Sequence, residues 1–299
     1  MQAESPNMDH SLYEMNHQKI LYISQEINPY LPSTPLSLFG RNLPQDIQSH
    51  GYEVRTFMPK YGSINERRNQ LHEVIRLSGM NISIDDNDHP LIIKVATLQP
   101  TRMQVYFIDN DDYFEGPGTK ILETVSSPED NDERSMFFVR GVIETVRKLR
   151  WDPTVIHCTG WIAALAPLYI RHLYQDDPGL SKSVVVYSLR PESFEGTLDS
   201  RFLEKLKLAG FTDDCLQSLG TCDFDWLSIN KLGIDHSDAV VVTTPDIPAE
   251  LLDYARKSGK PVLEYPGPDG EESTTAAYHD FYQSLLAKKD GETKLSDKN

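Results

Sequence analysis

The sequence predicts an α/β protein built on a single, mostly parallel sheet, and three observations predict it. Residues 19–58 read strand, loop, helix, strand, which is a βαβ unit. Later apolar runs, around 105–108, 154–157, 182–189 and 239–243, are short and rich in Val, Ile and Tyr, as expected of buried strands covered on both faces. Segments with helical spacing of apolar residues separate several of these runs, and such alternation favours a parallel sheet.

The first strand, Lys-Ile-Leu-Tyr-Ile-Ser over 19–24, needs no alternation if both its faces are buried. A loop over 25–35 follows, carrying Glu26, Pro29, Pro32 and Pro35, and proline this dense stops a helix or central strand. Leu36, Phe39, Leu43 and Ile47 then take helical spacing up to residue 50, with Gly51 as the expected stop and 53–58 as the next strand. Strands are expected at 71–77 and 91–98, separated by a polar turn at 85–90, and then at 105–108 with Asp109 and Asn110 at the carboxyl end. The three acids within 109–112 are ordinarily a solvated turn, while a cation site needs ligands converging from elsewhere. Residues 130–150 are expected to be helical, with acids at the start, bases at the end and Phe138, Val139, Val142, Ile143, Val146 and Leu149 along one face.

A strand at 154–157 turns at Gly160 into a helix reaching about residue 174, and 182–189 is the next strand. Helices are expected over 199–219, 223–232 and 248–257, with the strand 239–243 before the last. After a Pro- and Gly-rich connector, Tyr278, Phe281, Tyr282, Leu285 and Leu286 form a strip that must be buried.

The 299 residues allow one large or two small domains. A net charge of −16 argues against nucleic acid or an anionic membrane surface, because either would repel the chain; a neutral glucan is compatible. Cys158, Cys215 and Cys222 lack paired metal spacing, and an odd count without a signal peptide points to the cytoplasm. No apolar run approaches the roughly 20 residues of a membrane span. Gly116-Pro117-Gly118 is a turn, and the chain carries no Gly-x-Ser-x-Gly elbow and no Gly-Lys-Ser/Thr phosphate loop.

Residues 19–62, with Ser24, Glu26, Pro29, Leu43, Pro44, Gly51, Met58, Pro59, Tyr61 and Gly62, resemble the opening of a bacterial glycogen or starch synthase. The segment from Val105 to Phe114, the Asp-Asn-x-Glu-Arg run at 130–134, and 230–251 are similar to the same family. The resemblance implies a Rossmann-like domain over 18–264, corresponding to the N-terminal, acceptor-side half of a GT-B fold. It further implies a connector and return helix over 265–287 packed back on that domain. Residues 1–17 and 288–299 are expected to be flexible ends.

The resemblance also shows where this chain departs. The family's Lys-Thr-Gly-Gly loop, whose lysine and glycine backbone approach the sugar-nucleotide phosphates, falls on Pro32, Ser33, Thr34 and Pro35. A proline in place of the second glycine removes an amide donor and adds bulk. The family's second His and its Asp fall on Thr159 and Gly160, although His157 and Trp161 are kept, and its His-Asn pair falls on Arg190 and Pro191. His157 has two readings, a strand-end imidazole bonded to nearby backbone or a ligand contact. Arg190 is either an anion binder or an ion-pair partner.

With these groups changed, no catalytic residue, metal ligand or cofactor is assigned. The candidate ligand cleft is bordered by Glu26, Tyr30, Asp109, Asn110, His157, Trp161 and Arg190. The expected function is a non-catalytic relative that binds α-glucan, a maltooligosaccharide, a protein partner or, as a homo-oligomer, a second copy of itself. The alternatives are an ADP-glucose-dependent glucosyltransferase completed by a second chain, and a purely structural or regulatory protein.

Overall fold

The computed structural model describes residues 18–114, 130–219 and 223–296. The amino-terminal segment, the turn at Gly116 to Gly118 and Cys222 lie outside the described residues. In chain order the elements are β1 (Lys19–Ser24), α1 (Pro35–Ser49), β2 (Glu53–Pro59), β3 (His72–Glu73), β4 (Met80–Ile84), β5 (Asn87–Leu98) and β6 (Met103–Asp109). Next come α2 (Asp111–Phe114), α3 (Asn131–Leu149), β7 (Val155–Thr159), α4 (Ala166–His172), β8 (Val184–Leu189), α5 (Phe202–Leu208) and α6 (Trp226–His236). The chain closes with β9 (Ala239–Val242), α7 (Ala249–Lys257), β10 (Val262–Leu263) and α8 (Glu272–Ser296).

The sheet runs β10-β9-β8-β7-β1-β2-β6-β5-β3, with β4 hairpinned onto β5. Every pairing from β10 to β6 is parallel, and β5 adds an antiparallel margin. The central strands β7, β8 and β9 are buried at every position, which is why their sequences show no alternation. β5 sits where one face is less covered, and its inward residues Leu91, Ile93 and Val95 alternate with more exposed ones.

The strand order reverses at β1: β2 leaves it on one side and β7 lies on the other. Right-handed crossovers therefore place α1 on one face and α3, α4, α6 and α7 on the other. α8 returns to the α1 face, where it packs against α1 and β8. Tyr278, Tyr282 and Leu285 are buried there, as the apolar strip required.

Several boundaries differ from the sequence reading. Of 71–77 only β3 pairs, and the chain then turns, with the Leu77 amide donating to the Val74 carbonyl at 2.8 Å. β4 is a further strand, alternating outward Asn81 and Ser83 with buried Ile82 and Ile84, and the expected turn over 85–90 shortens to a tight one, with Asp85 at φ 52° and β5 beginning at Asn87. The expected helix over 199–219 breaks at Gly210, φ 109°, into α5 and a 3₁₀ segment. The expected helix from 160 begins instead with a 3₁₀ turn, Trp161–Ala163, before α4. α6 starts later than expected, capped by the Asp225 carboxylate, which accepts from the Ser228 amide at 2.8 Å. α8 continues past residue 287 into the expected tail, where Lys289 donates to the Ser183 carbonyl at 2.8 Å.

Candidate functional site

In an open parallel sheet, ligands bind at the carboxyl ends of strands beside the point where the order reverses. Here that point lies between β1 and β7, whose following residues are in contact: the Gln25 amide donates to the Thr159 carbonyl at 3.2 Å. Gly160 has φ 85°, and a Cβ placed on it would lie 2.6 Å from Gln25 Oε1. The volume a side chain at 160 would take is thus filled by Gln25, and only glycine fits both the space and the dihedral.

The loop between β1 and α1 is closed on itself. Thr34 is the N-cap of α1: its hydroxyl accepts from the Ser37 amide at 3.0 Å, and the Ser37 hydroxyl accepts from the Thr34 amide at 2.9 Å. This reciprocal box satisfies the Thr34 and Ser37 amides, and Pro35 has none to offer. The Thr34 hydroxyl also donates to Glu26 at 3.0 Å. Burial raises the pKa of the Glu26 carboxyl, opposed by the Thr34 hydrogen bond and by the charge of Arg190. The loop sits this tightly because Gly40 of α1 lets the Glu26 carbonyl approach where any Cβ would collide with it.

Arg190, at the end of β8, is buried and forked onto Glu192, with Nε and Nη2 donating at 3.0 and 2.8 Å. Its Nη1 donates to Thr243 at 3.3 Å, and its guanidinium lies over the Phe39 ring, 5.4 Å from the centroid. Trp226 pins the loop by donating to the Glu192 carbonyl at 2.9 Å. Between these groups opens a cavity of about 220 Å³ lined by Pro35, Arg190, Glu192, Thr243, Thr244, Asp246, Tyr265 and Asp269. The pKa of Asp269, exposed at the rim, is likewise raised by partial desolvation, again opposed by Arg190.

The seven residues proposed for the cleft fall into three places. Glu26 and Arg190 sit together at the β1 and β8 ends and feel each other's charge. Tyr30, Asp109 and Asn110 gather around β6, two strands away from β1. Tyr30 packs edge-on against Phe107, and burial lifts its phenol to about 12. Asp109 pairs with Lys94 at 2.7 Å, and the Asn110 side chain caps α2 while donating to the Pro90 carbonyl at 3.0 Å.

His157 and Trp161 are both buried. His157 is held between the sheet and α8: Nδ1 is hydrogen-bonded to the Tyr282 hydroxyl at 2.5 Å and Nε2 to the Ser188 hydroxyl. Its partners are therefore side chains, where the sequence suggested backbone. Burial pulls its pKa down to about 3, so the ring is neutral. Trp161 meets Phe194 edge to face at 4.9 Å. Gln25, Glu192, Thr243 and Asp269 escaped the sequence reading. The Arg190-x-Glu192 spacing could have signalled one of them; the others depend on loops meeting across the sheet edge.

A parallel lobe with its ligand edge on the loops after β1, β7 and β8, and a helix returning to cover the opposite half of one face, defines one lobe of the GT-B glycosyltransferase architecture. The chain belongs to the starch synthase catalytic domain family, whose model matches residues 19–263. It is 32% identical over 235 residues to the glycogen synthase of Pelodictyon phaeoclathratiforme, covering 78% of this chain and 47% of that protein. It is 34% identical over 240 residues to the glycogen synthase of Chlorobaculum tepidum, covering 79% and 47%. The chain spans about half the length of the curated relatives it matches. Among solved structures it is similar to the catalytic domain of Starch Synthase IV from Arabidopsis thaliana bound to ADP and acarbose. That match has a TM-score of 0.62 at 18% identity and covers 83% of this chain and 51% of that one, a likeness of fold.

Proposed function

We propose that this chain is a glycogen or starch synthase-like protein that binds α-glucan at the carboxyl edge of its sheet and does not transfer glucose by itself. The observation that carries this reading is the self-capped start of α1. A helix amino terminus offers free amides and a positive dipole end to a phosphate. In this chain the Thr34 and Ser37 amides are taken by the capping box, Pro35 lacks one, and the Glu26 carboxylate lies beside them, accepting from the Thr34 hydroxyl.

The adjoining cavity supports the same reading. Its lining carries Arg190 against Glu192, Asp246 and Asp269, an acidic excess that repels a diphosphate. A neutral polyol meets no such barrier, and the carboxylates, threonine hydroxyls and Tyr265 ring offer hydrogen bonds and a stacking face to a sugar. The solved relative's bound acarbose is in keeping with a saccharide ligand for this family.

The test is incorporation of labelled glucose from ADP-glucose into glycogen by the purified chain, with calorimetric titration of maltoheptaose in parallel. Saturable oligosaccharide binding without incorporation is expected. Incorporation by the chain alone would overturn the non-catalytic part, and absence of oligosaccharide binding would overturn the glucan part and direct the search to a protein partner.

A further inference from the structure

The walls of the candidate cleft come from two separate parts of the chain. Arg190, Glu192 and Thr243 belong to the ends of β8 and β9, whereas Tyr265 and Asp269 belong to the connector between β10 and α8. The connector is neither helix nor strand, and β10 at its start is a single pair of residues, Val262 and Leu263. Such a segment stays where its ends are held, and its firm end is α8. The Thr275 amide and hydroxyl of α8 both donate to the Glu271 carbonyl, at 3.0 and 3.2 Å. A Cβ placed on Gly267 would lie 2.9 Å from the Thr274 hydroxyl oxygen, so the connector lies directly on the first turn of the helix.

α8 reaches the opposite wall as well, through two buried rings. Phe39 of α1 is one: the Arg190 guanidinium lies over it, 5.4 Å from the centroid, and the Tyr278 ring lies against it with centroids 6.2 Å apart. His157 is the other. The Tyr282 hydroxyl is bonded to its Nδ1 at 2.5 Å, and its Nε2 is bonded to Ser188, which stands just before Leu189 and Arg190. The same Tyr282 hydroxyl meets the Tyr22 hydroxyl at 3.2 Å, so one side chain joins α8 to β1 and β7 and, through the imidazole, to β8. Tyr278 is buried, its hydroxyl has no hydrogen-bond partner among the described residues, and the charges of Asp269 and Arg190 both act on it. One tyrosine thus feels both walls.

Building on the glucan reading of this cleft, we propose that Tyr278 and Tyr282 are positioning residues of the saccharide site: α8 sets the spacing of the two walls, so helix docking and saccharide binding are coupled. Neither tyrosine is among the residues that line the cavity, and each acts through another. Tyr278 acts through Phe39 on Arg190, and Tyr282 through His157 on the end of β8. Packed rings carry such an effect because a close-packed interior shifts between discrete arrangements rather than yielding gradually. The coupling is reciprocal: a ligand that needs α8 in place also holds it in place.

The experiment uses the full chain, with maltoheptaose titrated calorimetrically and backbone hydrogen exchange followed with and without it. Tyr282→Phe keeps the ring and loses the hydroxyl; Tyr278→Leu keeps apolar bulk and loses the ring against Phe39. Each should weaken maltoheptaose binding by about fivefold or more and speed exchange selectively around Arg190 and over 265–271. Tyr254→Phe, which removes a hydroxyl that donates to Asp235 at 2.7 Å outside both walls, should change neither. Saturating maltoheptaose should slow exchange within α8 of the parent chain. Parent affinity and exchange in both α8 variants would sink the coupling and leave the glucan reading standing. Exchange that quickens evenly along the whole chain, with affinity unchanged, would make the tyrosines merely structural and sink it too. A parent chain that binds no maltoheptaose would end the glucan reading and the coupling together. Should Tyr278→Leu fail to fold, Tyr282→Phe carries the comparison.

Discussion

His157 is the residue in which this domain's acid sensitivity should be concentrated. Its imidazole is fully buried, bonded through both nitrogens and neutral, with a pKa near 3 in the native state. The unfolded chain takes up a proton at this residue near pH 6.5, whereas the native ring refuses it until about pH 3. In that window the unfolded state binds more protons, so native stability falls as pH falls. His236, pulled to about 4 chiefly by burial, adds in the same direction. The half-buried carboxyl of Glu26 and the buried one of Asp132, whose pKa values are raised chiefly by desolvation, act oppositely, because acid relieves their poorly solvated charge. The His157 contribution between pH 7 and pH 5 is about 2 kcal/mol. His157→Gln, which keeps a hydrogen-bonding side chain but does not titrate, should be less stable at pH 7 and lose less on going to pH 5. Urea unfolding at the two pH values measures this, and an unchanged pH slope in the variant would remove His157 from the account.

At the scale of elements, α1 couples the fold to the candidate cleft. Its apolar stripe was plain in the sequence, since Leu36, Phe39, Leu43 and Ile47 recur at helical spacing and are all buried. Its start was not. By resemblance Thr34 and Pro35 replace the glycines of a phosphate-binding loop, and the tertiary structure adds that Thr34 caps the helix with Ser37, Pro35 opens it, and the Thr34 hydroxyl meets Glu26. Thr34→Ala should cost about 1 kcal/mol, the usual value of a lost N-cap, and should leave Glu26 without its hydroxyl donor. The change in urea midpoint at constant slope reads this directly. No change would mean that the box does not hold the helix start. The loop from Arg190 to Glu192 is less legible still: Arg190 is visible as a strand-end cation, but its fork to Glu192, its seat on Phe39 and its bond to Thr243 join the ends of β8 and β9 to α1.

For the molecule as a whole, α8 determines whether the α1 face of the sheet is dry. It buries Tyr278, Tyr282 and Leu285 and places the Tyr282 hydroxyl on His157 and, at 3.2 Å, on the Tyr22 hydroxyl. Three large side chains at roughly 2 kcal/mol each approach the entire stability of an ordinary domain. Truncation after Tyr265 should therefore yield insoluble or non-cooperatively melting protein. A truncated chain with the parent's solubility and melting temperature would show that the helix is dispensable. Among the described residues no helix is long and apolar enough to cross a membrane.

The sequence by itself determined the α/β class, the parallel core strands, the long helix α3, the apolar strip of α8 and the family. These rest on local periodicity and on framework residues in fixed order, which are properties of neighbouring residues along the chain. Only the tertiary structure decided that Gln25 fills the space beside Gly160, that His157 is sealed by Tyr282, that Arg190 is forked to Glu192, and that Phe39 meets both Arg190 and Tyr278. The physical reason is separation: Tyr282 lies 125 positions from His157, so burial, charge and hydrogen bonding at such places are set by how the sheet stacks its edges.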